Sequence, residues 1–290
     1  MNWNGLELPD KPYYSDDAVV IYHADCRDIL PLIPDKSIDL MLADPPYGIG
    51  KAEWDVEFDI TVLQNIGELT NRLGLMCGTW NILDCPREIG GLVYKWTLAA
   101  HLVNGMTRGG LGFGNWIPCL VYTSKAYRQD THEWCCAFTD WCEANNISKN
   151  DLSETTNTSD MGGWWMSKLI HRCAVPSPSQ WDKIKEKFNP PKIFDEFVAP
   201  SDYKPQTDCR DFYISSSEKV NHPSPKPPQV ITWLLQTLGG DTILDPFLGS
   251  GTTAYCAKKL NRKCIGIEIE EKYCEIAAKR CSQSVMELEI

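Results

Sequence analysis

The sequence predicts an α/β fold in which a parallel sheet covered by helices is interrupted by a mainly helical insert. Segments of strand and helix character alternate near both ends of the 290-residue chain, as in sheets whose parallel strands are joined by helices. Acidic residues follow several of the strand-like runs, at the edge where such sheets bind ligands. The alternation stops between residues 126 and 217, where Ser, Thr and Asn are frequent and only helix signals remain.

The composition predicts a soluble, cytoplasmic protein. The chain has no apolar run of about 18 residues and no basic-then-apolar leader. Its 13 cysteines are scattered, odd in number and without a CxxC pair, which is typical of reduced packing thiols. We predict no metal site, although His132, Cys135, Cys136 and Cys142 keep one open as the weaker alternative. The net charge of −11 is concentrated near the N-terminus, so it neither indicates nor excludes a nucleic-acid partner.

Residues 1–125 are predicted to form the first part of the sheet. The expected strands are Ala18–Asp25, Ser37–Ala43, Leu75–Trp80, Tyr94–Ala100 and Trp116–Thr123. The expected helices are Cys26–Ile33, Phe58–Leu73 and Cys85–Leu92, and Gly109–Gly114 is predicted to be a glycine-rich turn. Because Pro118 cannot donate a hydrogen bond, we expect the strand that contains it to lie at an edge of the sheet.

Residues 126–217 are predicted to form the helical insert. The expected helices are Trp134–Ala144, Ser148–Thr155, Met161–His171 and Gln180–Phe188, with a turn at Asn157–Asp160. Short helices around a tight turn are typical of a helix–turn–helix unit. The candidate DNA-binding residues are Lys168, Trp164, Lys183 and Lys187, and Gly162 and Gly163 would let the third helix approach a groove closely. A helical lid with no nucleic-acid role is the alternative.

Residues 218–290 are predicted to complete the sheet after the prolines of Pro223–Pro228. The expected elements are the helices Gln229–Leu238, Thr252–Leu260 and Glu271–Val285 and the strands Thr242–Phe247 and Lys263–Ile269. Strands that end at Asp25, Asp44, Asp245 and Glu268 would align four acids along one edge of the sheet. Asp44 and Asp245 are expected on adjacent strands, at the point where the strand order reverses.

Asp44-Pro45-Pro46-Tyr47 is the first candidate site, at the end of a predicted strand. Two consecutive prolines cannot continue a strand, and they hold the turn in one backbone shape. The Asp44 carboxylate and the Pro45 carbonyl offer two hydrogen-bond acceptors, and Tyr47 adds a flat apolar face with a polar tip. This set suits a planar group that bears an exocyclic amino group. A rigid surface turn is the alternative.

The second candidate site is the sequence TILDPFLGSGTT at Thr242–Thr253. A predicted strand ends on Asp245, and a turn with Gly249 and Gly251 opens the next helix, whose N-terminus offers free N–H groups. Glu268 ends the next strand, where a carboxylate can accept hydrogen bonds from ribose hydroxyls. The turn matches neither GxGxxG nor GxxxxGK[ST], so the sequence favours a nucleoside-containing cofactor other than a dinucleotide or ATP.

The two sites together resemble those of a known family. DPPYGIG upstream, with HPSPKPP, DPFLGSGTT and IGIEIEEKYCEIAAKR downstream, resembles DNA amino-methyltransferases that use S-adenosylmethionine, and the order resembles their beta class. The resemblance covers residues 18–125 and 220–285 and implies a Rossmann-like, seven-stranded methyltransferase sheet. It also implies a target base flipped into the DPPY pocket. More loosely, Trp181 and the preceding SPSQ resemble a helical module of phage- and prophage-type members.

The resemblance implies a role for each residue of the two sites. Asp44 and Pro45 would accept the hydrogens of the target amino group, with Pro46 in the same turn, and Tyr47 would stack on the base. The remaining residues would bind the cofactor: Asp25 and Cys26 near its adenine, Glu268 on its ribose, Lys226 over its methionine end, and Asp245, Phe247, Gly249, Ser250, Gly251 and Thr252 around its methionine and ribose.

The activity implied is site-specific methyl transfer from S-adenosylmethionine to an exocyclic amine in double-stranded DNA, as in restriction-modification systems. Adenine N6 is favoured because cytosine-N4 members of the family more often carry Ser at the Asp44 position. Cytosine N4, RNA adenine and a non-catalytic cofactor-binding DNA module are the alternatives. No membrane partner is expected, and the sequence leaves open a homodimer, a partner nuclease and the recognition sequence.

Overall fold

The structure is a computed structural model, and it divides the chain into two compact units. The first unit comprises residues 1–124 and 207–290, and the second comprises residues 125–206. Each unit has its own hydrophobic core. The structure describes residues 1–48, 50, 59–104, 107–109, 112–124, 126–159, 161–168, 176, 178–197, 208–213 and 226–283.

The first unit contains the strands and five of the described helices. The strands are β1 (Asn2–Trp3), β2 (Leu6–Glu7), β3 (Tyr14–Ser15), β4 (Val19–His23), β5 (Leu40–Ala43), β6 (Arg72–Met76), β7 (Glu88–Ile89), β8 (Leu92–Leu102), β9 (Thr107–Gly109), β10 (Gly112–Gly114), β11 (Trp116–Ser124), β12 (Cys209–Phe212), β13 (Thr242–Asp245) and β14 (Lys263–Glu268). The α-helices are α1 (Cys26–Ile29), α2 (Ile66–Leu69), α7 (Pro228–Leu238), α8 (Thr252–Lys259) and α9 (Glu271–Ser282).

The largest sheet of the described residues has ten strands, and the pairs β1–β2 and β9–β10 form two separate two-stranded sheets. The order of the ten-stranded sheet is β12-β8-β11-β6-β5-β13-β14-β4-β3, with β7 also paired to β8. The five central strands, from β6 to β4, are parallel, whereas β11 runs antiparallel to both of its neighbours. The resemblance implied seven strands, and β3, β7 and β12 extend that core. The predicted α/β class is confirmed.

The central strands are buried on both faces, as is typical of parallel strands between helices. Alternate side chains point to opposite faces, so Leu40 and Leu42 pack in one core layer whereas Met41 and Ala43 pack in the other. Helices α7, α8 and α9 cover the first layer. Residues of α1 and α2 contribute to the second layer.

Two predicted helices of the N-terminal part are wrong. In place of a helix over Phe58–Leu73, the described residues form a 3₁₀ turn at Thr61–Leu63, the short α2 and then β6, which pairs with β5. In place of a helix over Cys85–Leu92, β7 and β8 form a hairpin around Gly90 and Gly91. Both glycines have positive φ angles, 54° and 82°, which a helix cannot accommodate.

One strand position, one turn and one domain boundary differ from the predictions. The strand around Pro118 is interior, since β11 lies between β8 and β6. Pro118 is tolerated there because it precedes Cys119, the first residue of β11 that pairs with β6. The predicted glycine turn is the hairpin of β9 and β10. The insert was predicted to continue to residue 217, yet β12 pairs in parallel with β8 and therefore belongs to the first unit.

The second unit is helical in its described part. Its α-helices are α3 (Ala126–Ala144), α4 (Lys149–Thr156), α5 (Met161–Trp165) and α6 (Pro178–Phe188), followed by a 3₁₀ segment at Lys192–Phe197. Ser148 caps α4, and its hydroxyl and the Asp151 side chain form a reciprocal capping box. The core is aromatic, with Trp134 stacked on Phe138 at 4.7 Å between ring centroids.

The third helix of this unit is shorter than predicted, because it ends at Trp165 rather than at His171. The Trp165 side chain is fully buried in the aromatic core. Gly162 was expected to approach a groove, but a Cβ at this position would lie 2.1 Å from the carbonyl oxygen of Lys149. Its missing side chain therefore permits close packing of α5 on α4. Asp160 and residues 169–175 lie outside the described residues.

The helices of the described residues include none that is both long enough and apolar enough to cross a membrane.

Candidate functional site

Four acidic residues mark one edge of the sheet, as predicted. Asp245 and Glu268 end the adjacent parallel strands β13 and β14, and Asp44 and Asp25 follow the ends of β5 and β4. Strand β13 pairs with β5 on one side and with β14 on the other. Asp44 and Asp245 therefore follow neighbouring strands.

Asp44 is the centre of a three-residue cluster. Its Oδ1 atom accepts a hydrogen bond of 2.7 Å from the Tyr47 hydroxyl, and its Oδ2 atom accepts one from the ammonium group of Lys226. The Lys226 nitrogen also lies 4.9 Å from the centroid of the Tyr47 ring, a cation–π distance. The Lys226 and Asp44 side chains are 12% and 20% exposed. The cluster is thus a partly buried ion pair with an aromatic wall.

Tyr47 keeps its proton at neutral pH. Burial raises the pKa of its phenol well above the ordinary value, and the adjacent Asp44 carboxylate raises it further. The hydroxyl can therefore act only as a donor towards Asp44. The indole ring of Trp80 contacts Tyr47 edge to face, with 6.4 Å between ring centroids and an interplanar angle of 81°.

Asp245 is a buried carboxyl group. Burial raises its pKa to about 7, and the charges of Asp44 and Glu268 act in the same direction. Hydrogen bonds from the Thr253 hydroxyl and the Phe247 N–H group oppose the rise, and the latter measures 3.0 Å. This environment disfavours the negative charge unless a cation or a donor binds beside it.

Glu268 holds the turn between β13 and α8 in place. One carboxylate oxygen accepts a hydrogen bond of 2.7 Å from the Gly249 N–H group, and the other accepts one of 2.8 Å from the Glu270 N–H group. Burial raises the pKa of Glu268 above its ordinary value. The side chain thereby connects the turn after β13 to the start of α9.

The glycines of this turn have different tasks. Gly249 has a φ angle of 53°, and Gly251, the N-cap residue of α8, has one of 78°. A Cβ on Gly251 would lie 2.6 Å from the Cβ of Ala277 in α9. Gly251 therefore lets α8 and α9 approach each other closely, and its expected approach to a ligand stays a prediction.

Arg280 on α9 supports this turn, a role that sequence reasoning missed. Its guanidinium donates hydrogen bonds of 2.9 Å to the Ser250 carbonyl and 3.1 Å to the Thr252 hydroxyl. Both acceptors are buried. The pattern EKYCEIAAKR shows a helix with a basic end, but no local signal points to the turn that it supports.

Asp25 and Cys26 lie where β4 leads into α1. Asp25 caps this helix through a hydrogen bond from the Arg27 N–H group at 2.9 Å. The Arg27 guanidinium also donates to its carboxylate, which lowers the pKa of Asp25. Burial raises the pKa of the Cys26 thiol to about 11, so Cys26 remains protonated at neutral pH.

The candidate DNA-binding lysines of the second unit lie in different environments. Lys168 pairs with Asp140 at 2.7 Å and with Glu143 at 3.5 Å, both on α3. Lys187 donates a hydrogen bond of 3.0 Å to the Thr155 hydroxyl, and Lys183 on α6 is exposed. The side chain of Trp164 is outside the described part. A DNA contact by these residues remains a prediction.

No group of three or more His, Cys, Asp or Glu side chains suited to a metal ion occurs within the described part of the chain. Two of the cysteines considered as ligands, Cys135 and Cys142, are buried in the aromatic core of the second unit.

Comparison with known proteins relates the chain to DNA methylases. Residues 115–279 match the family N6_N4_Mtase, described as DNA methylase. The chain is 28% identical over 291 residues to Type II methyltransferase M2.LlaDCHI of Lactococcus lactis subsp. cremoris, covering 96% of this chain and 95% of that protein. It is 25% identical over 279 residues to DNA adenine methyltransferase YhdJ of Escherichia coli (strain K12), covering 92% and 84%.

A solved structure has a similar fold. The crystal structure of the M1.HpyAVI-SAM complex aligns with a TM-score of 0.53 at 21% sequence identity. The alignment covers 90% of this chain and 99% of that chain. At this identity the similarity concerns the fold.

Proposed function

The chain belongs to the N6_N4_Mtase family of DNA methylases and is an S-adenosylmethionine-dependent DNA methyltransferase, and from this premise we propose that its acceptor is the N6 amino group of adenine in double-stranded DNA. The observation that carries this proposal is the position of Asp44, which follows the strand next to the one that ends at Asp245. The name of the relative YhdJ, an adenine methyltransferase, supports adenine as the base.

The candidate cofactor residues fit the chemistry of S-adenosylmethionine. Three carboxyl groups, those of Asp25, Glu268 and Asp245, follow three adjacent strands, and such a set suits ribose hydroxyls and a positively charged group. The environment of Asp245 disfavours its own negative charge, so a cation beside it would be stabilised on binding. In the bound state, Glu268 would hold the ribose and Asp25 would lie near the adenine of the cofactor.

The main role of the protein in this reaction is to position the methyl donor and the target amino group. The cofactor supplies a methyl group on a sulfonium, which is already a strong electrophile. An aromatic amino group is a poor nucleophile because its lone pair is delocalised into the ring. Asp44 and the Pro45 carbonyl would accept the two amino hydrogens, favour a tetrahedral nitrogen and stabilise the positive charge that develops there. Proton loss can follow the transfer.

Access to Asp44 requires a base that has left the DNA duplex. A stacked and paired base cannot place its amino group in a pocket at a sheet edge, so the base must be flipped out of the helix. Tyr47 offers a ring for stacking on the flipped base. In the structure, Oδ1 of Asp44 accepts a hydrogen bond from the Tyr47 hydroxyl and Oδ2 accepts one from the Lys226 ammonium. Binding of the base would therefore replace or shift one of these contacts.

Methyl transfer to defined substrates tests the proposal. The purified protein is incubated with labelled S-adenosylmethionine and duplex DNA, single-stranded DNA or RNA, and the product nucleosides are separated. N6-methyladenine in duplex DNA is expected. N4-methylcytosine would contradict the choice of adenine, preferential labelling of RNA would contradict the DNA substrate, and cofactor binding without transfer would indicate a non-catalytic module.

The role of Asp44 is tested in the same assay. Asp44→Ala should lower the rate of transfer at least about 100-fold, or ~3 kcal/mol, because it removes a charge-assisted acceptor from a developing positive charge. Its affinity for S-adenosylhomocysteine should change little. Asp35→Ala removes an exposed carboxylate from the same part of the chain and serves as the control. A rate for Asp44→Ala equal to that of the wild type would exclude this role.

We further propose that the second unit contacts the target DNA, that the protein acts in the cytoplasm and that it forms a homodimer. The names of the Type II relatives support a place in restriction-modification. Sedimentation of the purified protein with and without duplex DNA tests the dimer. Sequencing of DNA from cells that express the protein, with modified bases detected directly, gives the recognition sequence.

A further inference from the structure

The turn between β13 and α8 contains a peptide group that is held from both sides. On one side, the Gly249 N–H group donates a hydrogen bond of 2.7 Å to the Glu268 carboxylate. On the other side, the Ser250 carbonyl accepts a hydrogen bond of 2.9 Å from the Arg280 guanidinium. The peptide group that joins Gly249 to Ser250 lies between these two contacts. Its orientation therefore depends on two side chains from other parts of the chain.

The Ser250 N–H group is the donor of this peptide, and it has no acceptor within the described part of the chain. The N–H groups on either side are paired, that of Gly249 with Glu268 and that of Gly251 with the Leu248 carbonyl at 3.0 Å. Ser250 is 3% exposed. Buried N–H groups without a protein partner are rare, and such groups usually bind water or a ligand. The group is therefore available to an oxygen acceptor of a bound cofactor.

Packing between α8 and α9 holds Arg280 in place for its contact with the turn. The guanidinium also donates a hydrogen bond of 3.1 Å to the Thr252 hydroxyl. It lies 5.1 Å from the centroid of the Tyr255 ring in α8, a cation–π distance. Ala277, three residues before Arg280 and therefore on the same side of α9, is the residue against which Gly251 packs closely. This close packing brings the Arg280 side chain within reach of the turn.

The hydrogen bonds of Arg280 go to the turn and not to a counter-ion. No carboxylate of the described residues forms an ion pair with it. Burial lowers the pKa of Arg280 below its ordinary value, although a guanidinium still remains charged at neutral pH. A partly buried charge is costly unless polar groups surround it. The acceptors of the turn therefore stabilise Arg280, and Arg280 in return fixes the position of these acceptors.

We propose that Arg280 is a positioning residue of the cofactor site, which acts through Ser250 and Thr252 to hold the turn in the shape that binds S-adenosylmethionine. The inference rests on the proposed function, since it takes this turn as part of the cofactor site. Arg280 itself would contact neither the cofactor nor the reacting groups. Binding sites need such supporting residues because small displacements of the contacting groups weaken binding. Loss of Arg280 should therefore change cofactor affinity and not the rate of the bound complex.

The experiment compares Arg280→Met with Arg262→Met in the full-length protein. Methionine keeps an unbranched side chain and removes the donors. Arg262→Met is the matched control, because the Arg262 guanidinium also donates to a backbone carbonyl, that of Leu235 at 2.6 Å, but this carbonyl belongs to α7 and not to the turn. Calorimetry gives Kd for S-adenosylhomocysteine. Methyl transfer to duplex DNA gives kcat and the KM values for cofactor and DNA, and thermal unfolding without cofactor gives Tm.

Arg280→Met should raise Kd for S-adenosylhomocysteine and KM for S-adenosylmethionine about 10-fold, the lower end of the range for a lost hydrogen bond to a charged group. The value of kcat and KM for DNA should change less than about twofold, as for a residue that affects binding alone. Arg280→Lys should recover part of the affinity, because an ammonium can donate to these acceptors but lacks the planar fork. Arg262→Met should lower Tm yet leave both cofactor constants unchanged.

Glu268→Ala separates the inference from the proposed cofactor site. Weaker binding in Glu268→Ala with an unchanged Kd in Arg280→Met would overturn the positioning role alone, whereas unchanged binding in both would overturn the site as well. Equal losses of affinity in Arg280→Met and Arg262→Met would also overturn the role, because they would reflect a general loss of stability. The binding arm is independent of the methyl acceptor, so it decides even where no adenine in DNA is methylated. If Arg280→Met does not fold, Arg280→Gln replaces it and is judged by the same results, since its side chain is too short to reach both acceptors.

Discussion

Lys226 and Asp44 are 182 residues apart in sequence and form a direct hydrogen bond between ammonium and carboxylate. The resemblance placed Lys226 over the methionine end of the cofactor. In the structure its ammonium lies at Asp44, the group expected to receive the target amine, and beside the Tyr47 ring, and its contact with the cofactor stays a prediction. The positive charge compensates the partly buried Asp44 carboxylate.

This ion pair should contribute to stability. A double-mutant cycle with Asp44→Asn and Lys226→Met should give a coupling free energy of about 1 kcal/mol, because the two side chains are mostly shielded from water. The measurement is the free energy of unfolding in denaturant, without cofactor or DNA. The more exposed pair of Lys272 and Glu270, at 3.2 Å, is the control. Its coupling free energy should be only a few tenths of a kcal/mol. Additive effects of the two substitutions at Asp44 and Lys226 would show that their contact contributes nothing.

Glu268 should determine cofactor affinity. Glu268→Ala should weaken binding of S-adenosylhomocysteine by ~1.5–3 kcal/mol, since it removes an acceptor from the ribose and frees the Gly249 N–H group. Calorimetry measures the affinity. Glu275→Ala, which removes an exposed carboxylate from α9, is the control. Unchanged affinity in Glu268→Ala would rule out a role in cofactor binding.

The buried carboxyl of Asp245 should make stability depend on pH. Burial raises its pKa from the ordinary 3.8 to about 7 in the folded protein. Folding therefore favours the protonated form. The resulting contribution to the free energy of unfolding is full below pH 3.8 and is lost as the pH rises through about 7. Asp245→Asn is neutral at every pH. Its stability relative to wild type should increase between pH 5 and pH 8 by on the order of 3 kcal/mol, measured by denaturant unfolding without cofactor.

A control of opposite sign is available at Asp25. Arg27 lowers the pKa of this carboxyl, so folding favours its ionised form. That contribution is present above pH 3.8 and is lost as the pH falls through the lowered pKa. Asp25→Asn should therefore lose stability relative to wild type at pH 5 to 8, and the loss should shrink in acid. A pH-independent difference between Asp245→Asn and wild type would contradict the assignment at Asp245.

Gly251 should be required for the packing of α8 on α9. Gly251→Ala adds a Cβ that would lie 2.6 Å from the Ala277 Cβ, at a backbone φ of +78°. We expect a loss of about 2–4 kcal/mol in the free energy of unfolding. Gly5→Ala has the same strain, with φ of +88°, but no atom within 4 Å of the new Cβ. Gly5→Ala should lower the free energy of unfolding by ~1 kcal/mol. Equal losses in Gly251→Ala and Gly5→Ala would show that the contact with Ala277 has no effect.

The sequence was sufficient to predict the acidic edge of the sheet. Asp44 and Asp245 each come at the end of a buried strand and are followed by residues that stop a strand, prolines in one case and a Pro-Phe-Leu-Gly turn in the other. In the sheet these two strands are neighbours, since β13 pairs with β5. Local pattern and topology point to the same arrangement, so the prediction was confirmed by the observed strand order.

The errors have a common physical cause. Residues Arg72–Met76 became a strand because β5 and β11 pair with them on both sides, and no local pattern reports such neighbours. The same holds for β12, which pairs with β8 far away in sequence. The contacts of Lys226 with Asp44 and of Arg280 with Ser250 also join distant segments. Hydrophobic periodicity and residue propensity describe single segments of the chain. The strand pairings and side-chain contacts named here depend instead on which distant segments pack together.

The proposed contact of the second unit with DNA can be tested at its lysines. Lys183 is exposed on α6, whereas the charge of Lys168 is neutralised by Asp140 and Glu143. Lys183→Ala should therefore weaken duplex binding and reduce the slope of log affinity against log salt by about 1, as for one lost phosphate contact. Lys168→Ala is the matched variant of the same unit and should leave this slope unchanged.

The recognition sequence distinguishes positioning from readout. Phosphate contacts fix the place of a protein on DNA and carry no sequence information, so Lys183→Ala should methylate the same sites as the wild type, only more slowly. Lys168→Ala should also keep these sites, because its ammonium is held by two carboxylates of α3. Methylated positions are mapped by direct sequencing of DNA from cells that express each variant. A relaxed or altered site in Lys168→Ala would show instead that the segment after α5 reads bases, and that Lys168 exchanges its acidic partners for the DNA.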